Sequence, residues 1–167
     1  MMYTSNVDKN QRYNDLNKIE GIFNMTFTYE RKANYYETDM MGVVHHSNYL
    51  RYFEEARIAF MDSLGIPYKE LEENGIMSPV LSVQCEYKRM VQFGETMLIK
   101  VSLIEYNGIR MKLNYEIVDK KSGKVTTRGI TSHCFLSKNG RPVSLKNNMT
   151  EYHEKFLECL DKVSDNQ

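Results

Sequence analysis

The sequence predicts an α+β fold in which an antiparallel β-sheet wraps around one long central α-helix. Two observations carry that expectation. Between residues 47 and 64 apolar side chains recur every three or four positions, and from residue 81 onward they recur every second position in segments separated by turn residues. A sheet with one apolar face and a helix with one apolar stripe bury each other, which makes a single layered core. A chain of 167 residues is long enough to fill one.

Taken in order, residues 1–22 are polar, rich in Asn and Asp, and lack a sustained pattern, so they are expected to form a flexible extension or to reflect an upstream start-codon choice. Met25 opens the first convincing strand, with Phe23, Met25, Phe27 and Tyr29 on one face. The helix follows over about residues 47–64. Its stripe is Tyr49, Leu50, Phe53, Ala56, Phe60, Met61 and Leu64, with Arg51, Glu54, Glu55 and Asp62 off it. Ser47 is placed to cap its start, and Gly65 followed by Pro67 to end it.

Downstream, Leu81, Val83, Cys85 and Tyr87 alternate as a strand face, and Met97, Ile99, Val101 and Leu103 as another. Asn107 and Gly108 then turn the chain into Ile109, Met111, Leu113, Tyr115 and Ile117. Lys121, Ser122 and Gly123 turn it again, ahead of Val125, Thr127, Gly129, Thr131, His133 and Phe135. A last helix is expected near 148–161, capped by Asn148, with Met149, Tyr152, His153, Phe156, Leu157 and Leu160 on one face. The chain therefore divides into an extension (1–22), one sheet-and-helix domain (23–145), and a C-terminal helix and tail (146–167).

Charge and cysteine usage narrow the function. Twenty-two Lys and Arg balance twenty-two Asp and Glu, so the basic face that phosphate-dependent nucleic-acid binding requires is not apparent. Cys85, Cys134 and Cys159 are odd in number and widely spaced, which argues against a disulfide framework or a cysteine zinc site and for reduced, buried thiols. The first twenty residues hold no apolar run suited to a secretory core or a membrane span, so the expected location is the cytoplasm, without membrane insertion.

The chemistry concentrates in Tyr35–Arg57, YYETDMMGVVHHSNYLRYFEEAR, where Asp39 lies on a glycine-containing loop just ahead of the central helix. The first N–H groups of a helix have no intrahelical partner and its dipole is positive at that end, so a carbonyl oxygen lying there is polarised. Attack on a thioester or ester drives negative charge onto that oxygen, and preorganised donors stabilise the charge more than the ground state. Asp39 precedes His46 by seven residues, with Gly42 between them to allow close approach, so the carboxylate can reach the same carbon as nucleophile or general base.

The run from Tyr36 to Arg57 resembles the signature of hotdog-fold acyl-CoA thioesterases of the 4-hydroxybenzoyl-CoA thioesterase superfamily, and within it the YbgC-like subgroup. The likeness covers roughly residues 25–145, including the late turn at Gly140, Arg141 and Pro142. It implies a hotdog fold, Asp39 as the catalytic carboxylate, and His46 offering its backbone amide to the thioester carbonyl at the start of the helix. It implies no cofactor, since coenzyme A is part of the substrate. It also implies a homodimer with sites at the interface, commonly paired into a homotetramer. The acyl donor is expected to be acyl-CoA, with acyl carrier protein as a second carrier.

Around that centre, Gly42, Val44, His45, Asn48 and Tyr49 are candidate substrate contacts, while Asn48 is equally suited to local capping and Asp39 itself to a turn. Lys88 and Arg89, with Arg141, are candidates for coenzyme A phosphates, against the ordinary use of such residues as solvated strand ends. A metal site from His45, His46 and His133 lacks ligand spacing. Arg57 is expected in an ion pair with Glu54 at the helix edge. Two other functions share this fold: a non-catalytic acyl-thioester-binding module, and a dehydratase of hydroxyacyl thioesters.

Overall fold

The computed structural model describes residues 26–164. Strand β1 (Phe27–Lys32) leads through a 3-10 turn at Tyr35–Glu37 and a tight loop into the long helix α1 (Asn48–Ser63). A short helix α2 (Tyr68–Glu73) and strand β2 (Ile76–Met77) follow. Then come β3 (Val80–Tyr87), β4 (Thr96–Tyr106), β5 (Arg110–Asp119) and β6 (Val125–Cys134). They join β1 in one antiparallel sheet of order β1-β4-β5-β6-β3. Strand β7 (Leu136–Ser137) pairs with β2, and α3 (Leu145–Asn148) and α4 (Thr150–Ser164) close the described chain.

The expected alternation sets the inner face of the sheet. Met97, Ile99, Val101 and Leu103 on β4, with Met111, Leu113, Tyr115 and Ile117 on β5, are all but inaccessible beneath α1. Tyr49, Tyr52, Phe53, Ala56, Phe60 and Met61 meet them from the helix. Each large apolar side chain so buried contributes about 1.5–3 kcal/mol. Phe53 stacks on Tyr115 with ring centroids 4.4 Å apart, and reaches β6 because residue 129 is glycine; a Cβ there would run into the Phe53 ring.

The ends of α1 explain its length. Past Leu64 the amides of Gly65 and Ile66 donate to the carbonyls of Asp62 and Met61, the paired bonds of a Schellman stop, and Gly65 takes the left-handed φ of +69° that the stop requires. At the other end Ser47 holds the cap position without side-chain capping; its hydroxyl lies 2.8 Å from His45 Nδ1 instead.

Several expectations need correction. Phe23 and Met25 lie outside the described residues, and the visible strand begins at Phe27. Leu50 is half-exposed, and Tyr52 and Arg57 are buried on α1 in addition to the expected stripe. Arg57 makes no ion pair with Glu54, which is exposed; its guanidinium packs over the Tyr68 ring and reaches the Ser78 carbonyl at 3.5 Å. On β3 the register against β6 shifts between Val80 and Ser82, so Leu81 sits on a bulge and Val80 joins Val83, Cys85 and Tyr87 on the helix-facing side. Cys85 is half-buried, while Cys134 and Cys159 are buried. The C-terminal helix is two pieces, because Met149 leaves helical geometry and Asn148 donates back to the Ser144 carbonyl rather than capping forward.

Candidate active site

The loop carrying Asp39 is a small closed turn. The Asp39 amide donates to the Val43 carbonyl, the Gly42 amide to the Asp39 carbonyl, and the Met41 amide to Asp39 Oδ1 at 2.8 Å. Gly42 closes the turn at φ +74°, a conformation other residues adopt only with strain. One carboxylate oxygen is thus fixed by the turn. The other, Oδ2, has no hydrogen-bond donor among the described residues.

A buried ion pair holds this turn against the helix. Glu37, two residues before Asp39, receives Arg31 at both carboxylate oxygens, the Tyr52 hydroxyl at 3.0 Å and the Asn34 amide at 2.8 Å. Its backbone carbonyl accepts from the His45 amide and from Asn48 Nδ2, both at 2.8 Å. Burial works against ionisation of Glu37, but the Arg31 hydrogen bonds, the Asn34 amide and the Tyr52 hydroxyl outweigh it and hold the carboxyl below its ordinary range. Arg31 also stacks over the Tyr52 ring and pairs with Glu55.

Beside the turn is an open cleft of about 320 Å³ lined by Asp39, Val43, Val44, His46, Tyr49, Tyr87, Lys88, Arg89 and Met90. The Tyr87 hydroxyl donates to the His46 carbonyl at 3.2 Å, and its ring meets His46 and Tyr49 edge-on. Burial, followed by the neighbouring Cys85, pushes the Tyr87 phenol up to about 12, and burial also raises Tyr49. Both remain protonated donors across the physiological range. The His46 amide has no acceptor among the described residues, while those of Asn48 and Tyr49 fold back onto the carbonyls of His45 and His46.

Of the residues singled out in the sequence, Asp39, Val44, His46, Tyr49, Lys88 and Arg89 line this one cleft. Gly42 shapes the turn without lining it. His45 is half-buried and bonded to Ser47, and Asn48 braces Glu37, so neither side chain faces the cleft. The Lys88 ammonium is paired with Glu86 at 3.0 Å. Arg141 lies in the turn after β7, outside the cleft. His133 is buried on β6 against Thr131, and among the described residues no three metal-ligating side chains converge. Sequence reasoning missed Val43, Tyr87 and Met90 in the lining, and the Arg31–Glu37–Tyr52 brace. The spacing of an acid six residues after an arginine was a signal for the brace, and Tyr87 immediately before Lys88 and Arg89 was one for the lining.

A family model described as the thioesterase-like superfamily matches residues 34–158. A chain of Aquifex aeolicus, provisionally named an esterase, is 36% identical over 127 residues, 76% of this chain and 97% of the relative. Bacillus subtilis YneP, provisionally named an acyl-CoA thioesterase, is 30% identical over 76% of this chain and 92% of its own length. Among solved structures, a DHNA-CoA thioesterase from Staphylococcus aureus superposes with a TM-score of 0.82 at 30% identity, covering 85% of this chain and 95% of that one. The helix wrapped by the sheet is the hotdog fold that the Tyr36–Arg57 signature implied.

Proposed function

The chain belongs to the thioesterase-like superfamily, and on that premise we propose that it hydrolyses acyl-CoA thioesters, with Asp39 and the first turn of α1 as the catalytic pair. The observation that carries this reading is that the Asp39 carboxylate and the N-terminal turn at His46 share one cleft. A thioester carbonyl lying over that turn is polarised by the dipole of α1 and by the His46 amide, which has no acceptor of its own among the described residues. Asp39 Oδ2 then attacks the carbonyl carbon, or takes a proton from a water that does so. In the first route the C–S bond breaks as a C–O bond to Asp39 forms, and a water then hydrolyses the resulting anhydride, breaking that bond to free the acid and restore the carboxylate. In the second the oxygen of the water forms the C–O bond directly as the C–S bond breaks, and in both the sulfur takes a proton to leave as the thiol. No metal or cofactor enters these steps. Tyr87 keeps the helix turn in register through the His46 carbonyl, and the Glu37 brace keeps the Asp39 turn beside it.

Coenzyme A is the favoured carrier over acyl carrier protein, and Arg89, with no carboxylate partner among the described residues, is the side chain best suited to its phosphates. A pair of chains is the working unit. Strand β3 is an open sheet edge carrying exposed Val80, Leu81, Val83 and Tyr87, next to exposed Met90 and Phe93. A bare apolar edge of that kind is stable when a second strand pairs with it. We place this assembly, and a tetramer built from it, in the cytoplasm; no helix among the described residues is long and apolar enough to cross a membrane.

The test is product analysis on short, long and aromatic acyl-CoA thioesters. Equal amounts of free acid and free thiol from at least one of them support the reading. Binding without release makes the chain a binding module, and formation of a double bond makes it a dehydratase.

A further inference from the structure

The seam between α1 and β3 continues past the Asp39 cleft into a second one of about 240 Å³, walled by Leu50, Phe53, Val80 and Val83 and reaching Arg57 and His133. No residue lines both clefts, but the same two elements carry them. Tyr49 of the first adjoins Leu50 of the second on α1, and Tyr87, Cys85, Val83 and Val80 share one face of β3. From Asn48 to Arg57 the helix rises about 13 Å, the reach of a medium-length acyl chain.

The far end is chemically unlike the walls. Arg57 is 4% exposed, yet no carboxylate pairs with it among the described residues; its neighbours are the Tyr68 ring and the Ser78 carbonyl at the limit of hydrogen bonding. His133 is 1% exposed, with Nε2 2.7 Å from the Thr131 hydroxyl. Its Nδ1 has no hydrogen-bond partner and only a loose contact with the Pro79 carbonyl. The buried Ser78 hydroxyl is also unpartnered. Burial, then the Arg57 charge, lowers His133 to about 3, so its ring is neutral and offers a hydrogen bond rather than a second charge. Arg51 and Glu54, both exposed, also face the cleft, and their charges offset. A buried cation with unpaired donors beside it is costly to maintain and is relieved by an incoming anion.

Resting on the thioesterase reading, we propose that the α1–β3 seam is the acyl channel and that Arg57 and His133 receive a carboxylate at the distal end of the acyl chain. The favoured substrates are then ω-carboxyacyl thioesters, the half-thioesters of dicarboxylic acids. The reaction remains hydrolysis at the Asp39 end, and the distal carboxylate is untouched.

The experiment compares kcat/KM for straight-chain acyl-CoA and ω-carboxyacyl-CoA of equal length over a series of lengths, in wild type, Arg57→Met and Arg57→Lys. Wild type is expected to favour the ω-carboxy member about tenfold or more at the optimal length, the scale of a charge-assisted hydrogen bond, with the ratio collapsing in Arg57→Met and partly restored in Arg57→Lys. Because Arg57→Met removes a buried side chain, the wild type is also heated with free dicarboxylic and monocarboxylic acids of matched length. Only the diacids should raise Tm. Hydrolysis of plain acyl-CoA with no ω-carboxy preference and no diacid effect overturns the inference and leaves the thioesterase reading standing. Diacid stabilisation without hydrolysis of either series upholds the site and overturns the thioesterase reading.

Discussion

Arg31 grips Glu37 with both terminal nitrogens, Nη1 to Oε2 at 2.8 Å and Nη2 to Oε1 at 2.5 Å, directly beneath the turn that carries Asp39. The side chains are 12% and 3% exposed. Strand β1, the loop and α1 all meet at this pair, since Tyr52 donates to the same carboxylate and Asn48 to the Glu37 carbonyl.

Arg31→Met strands a buried carboxylate, so we expect a loss of about 3 kcal/mol in urea unfolding, typical of breaking one side of a buried pair. The pH dependence follows from Glu37, whose folded-state carboxyl lies below the ordinary 4.5. The unfolded chain then binds the proton more readily, so stability is fully present above 4.5 and falls as pH drops toward the folded value. Glu37→Gln should flatten that acid limb of the stability curve. An unchanged limb means the pair does not anchor the loop.

Tyr87→Phe removes only the hydroxyl that donates to the His46 carbonyl. One neutral hydrogen bond corresponds to about fivefold, so kcat should fall by roughly that factor with little change in Tm. A fall in Tm with kcat intact would make Tyr87 a packing residue alone.

Gly129→Ala places a methyl group against the Phe53 ring, with Cε2 at 2.6 Å. Overpacking of this kind costs about 1–3 kcal/mol. Thermal unfolding should show it, and Phe53→Leu should recover part of the loss when combined with it. Additive losses in the double variant would contradict direct contact.

Leu81→Lys puts a charge on the exposed apolar edge of β3, outside both clefts. Light scattering should show the assembly shifted toward monomer, with activity falling in parallel because the Asp39 cleft borders that edge. A monomer of full activity would remove the partner chain from the account.

How much of this was legible in the sequence depends on distance along the chain. Asp39, Val44, His46 and Tyr49 were found together because eleven consecutive residues hold them, and local turn and helix chemistry fixes their proximity. The β4–β5 core was legible because strict alternation survives an unbroken register over most of its length. The bulge beside Leu81 was not, since one inserted residue exchanges the faces of a strand without altering its composition. The Arg31–Glu37–Tyr52 brace and buried Arg57 escaped because periodicity assigns charged residues to the surface. Only the folded chain supplies the partners, or leaves one without a counter-charge, as at Arg57.

The role of Asp39 is tested most directly by thiol release from wild type and Asp39→Asn on the best acyl-CoA substrate, with acyl-CoA binding measured on both proteins. Asn preserves the shape of the turn and its bond from the Met41 amide while removing the charge. Catalysis by the Asp39 carboxylate predicts binding within a few-fold of wild type and a fall in kcat of about two or more orders of magnitude, the scale of a positioned acid or base. A variant that turns over at the wild-type rate would contradict it and return Asp39 to the role of a turn residue.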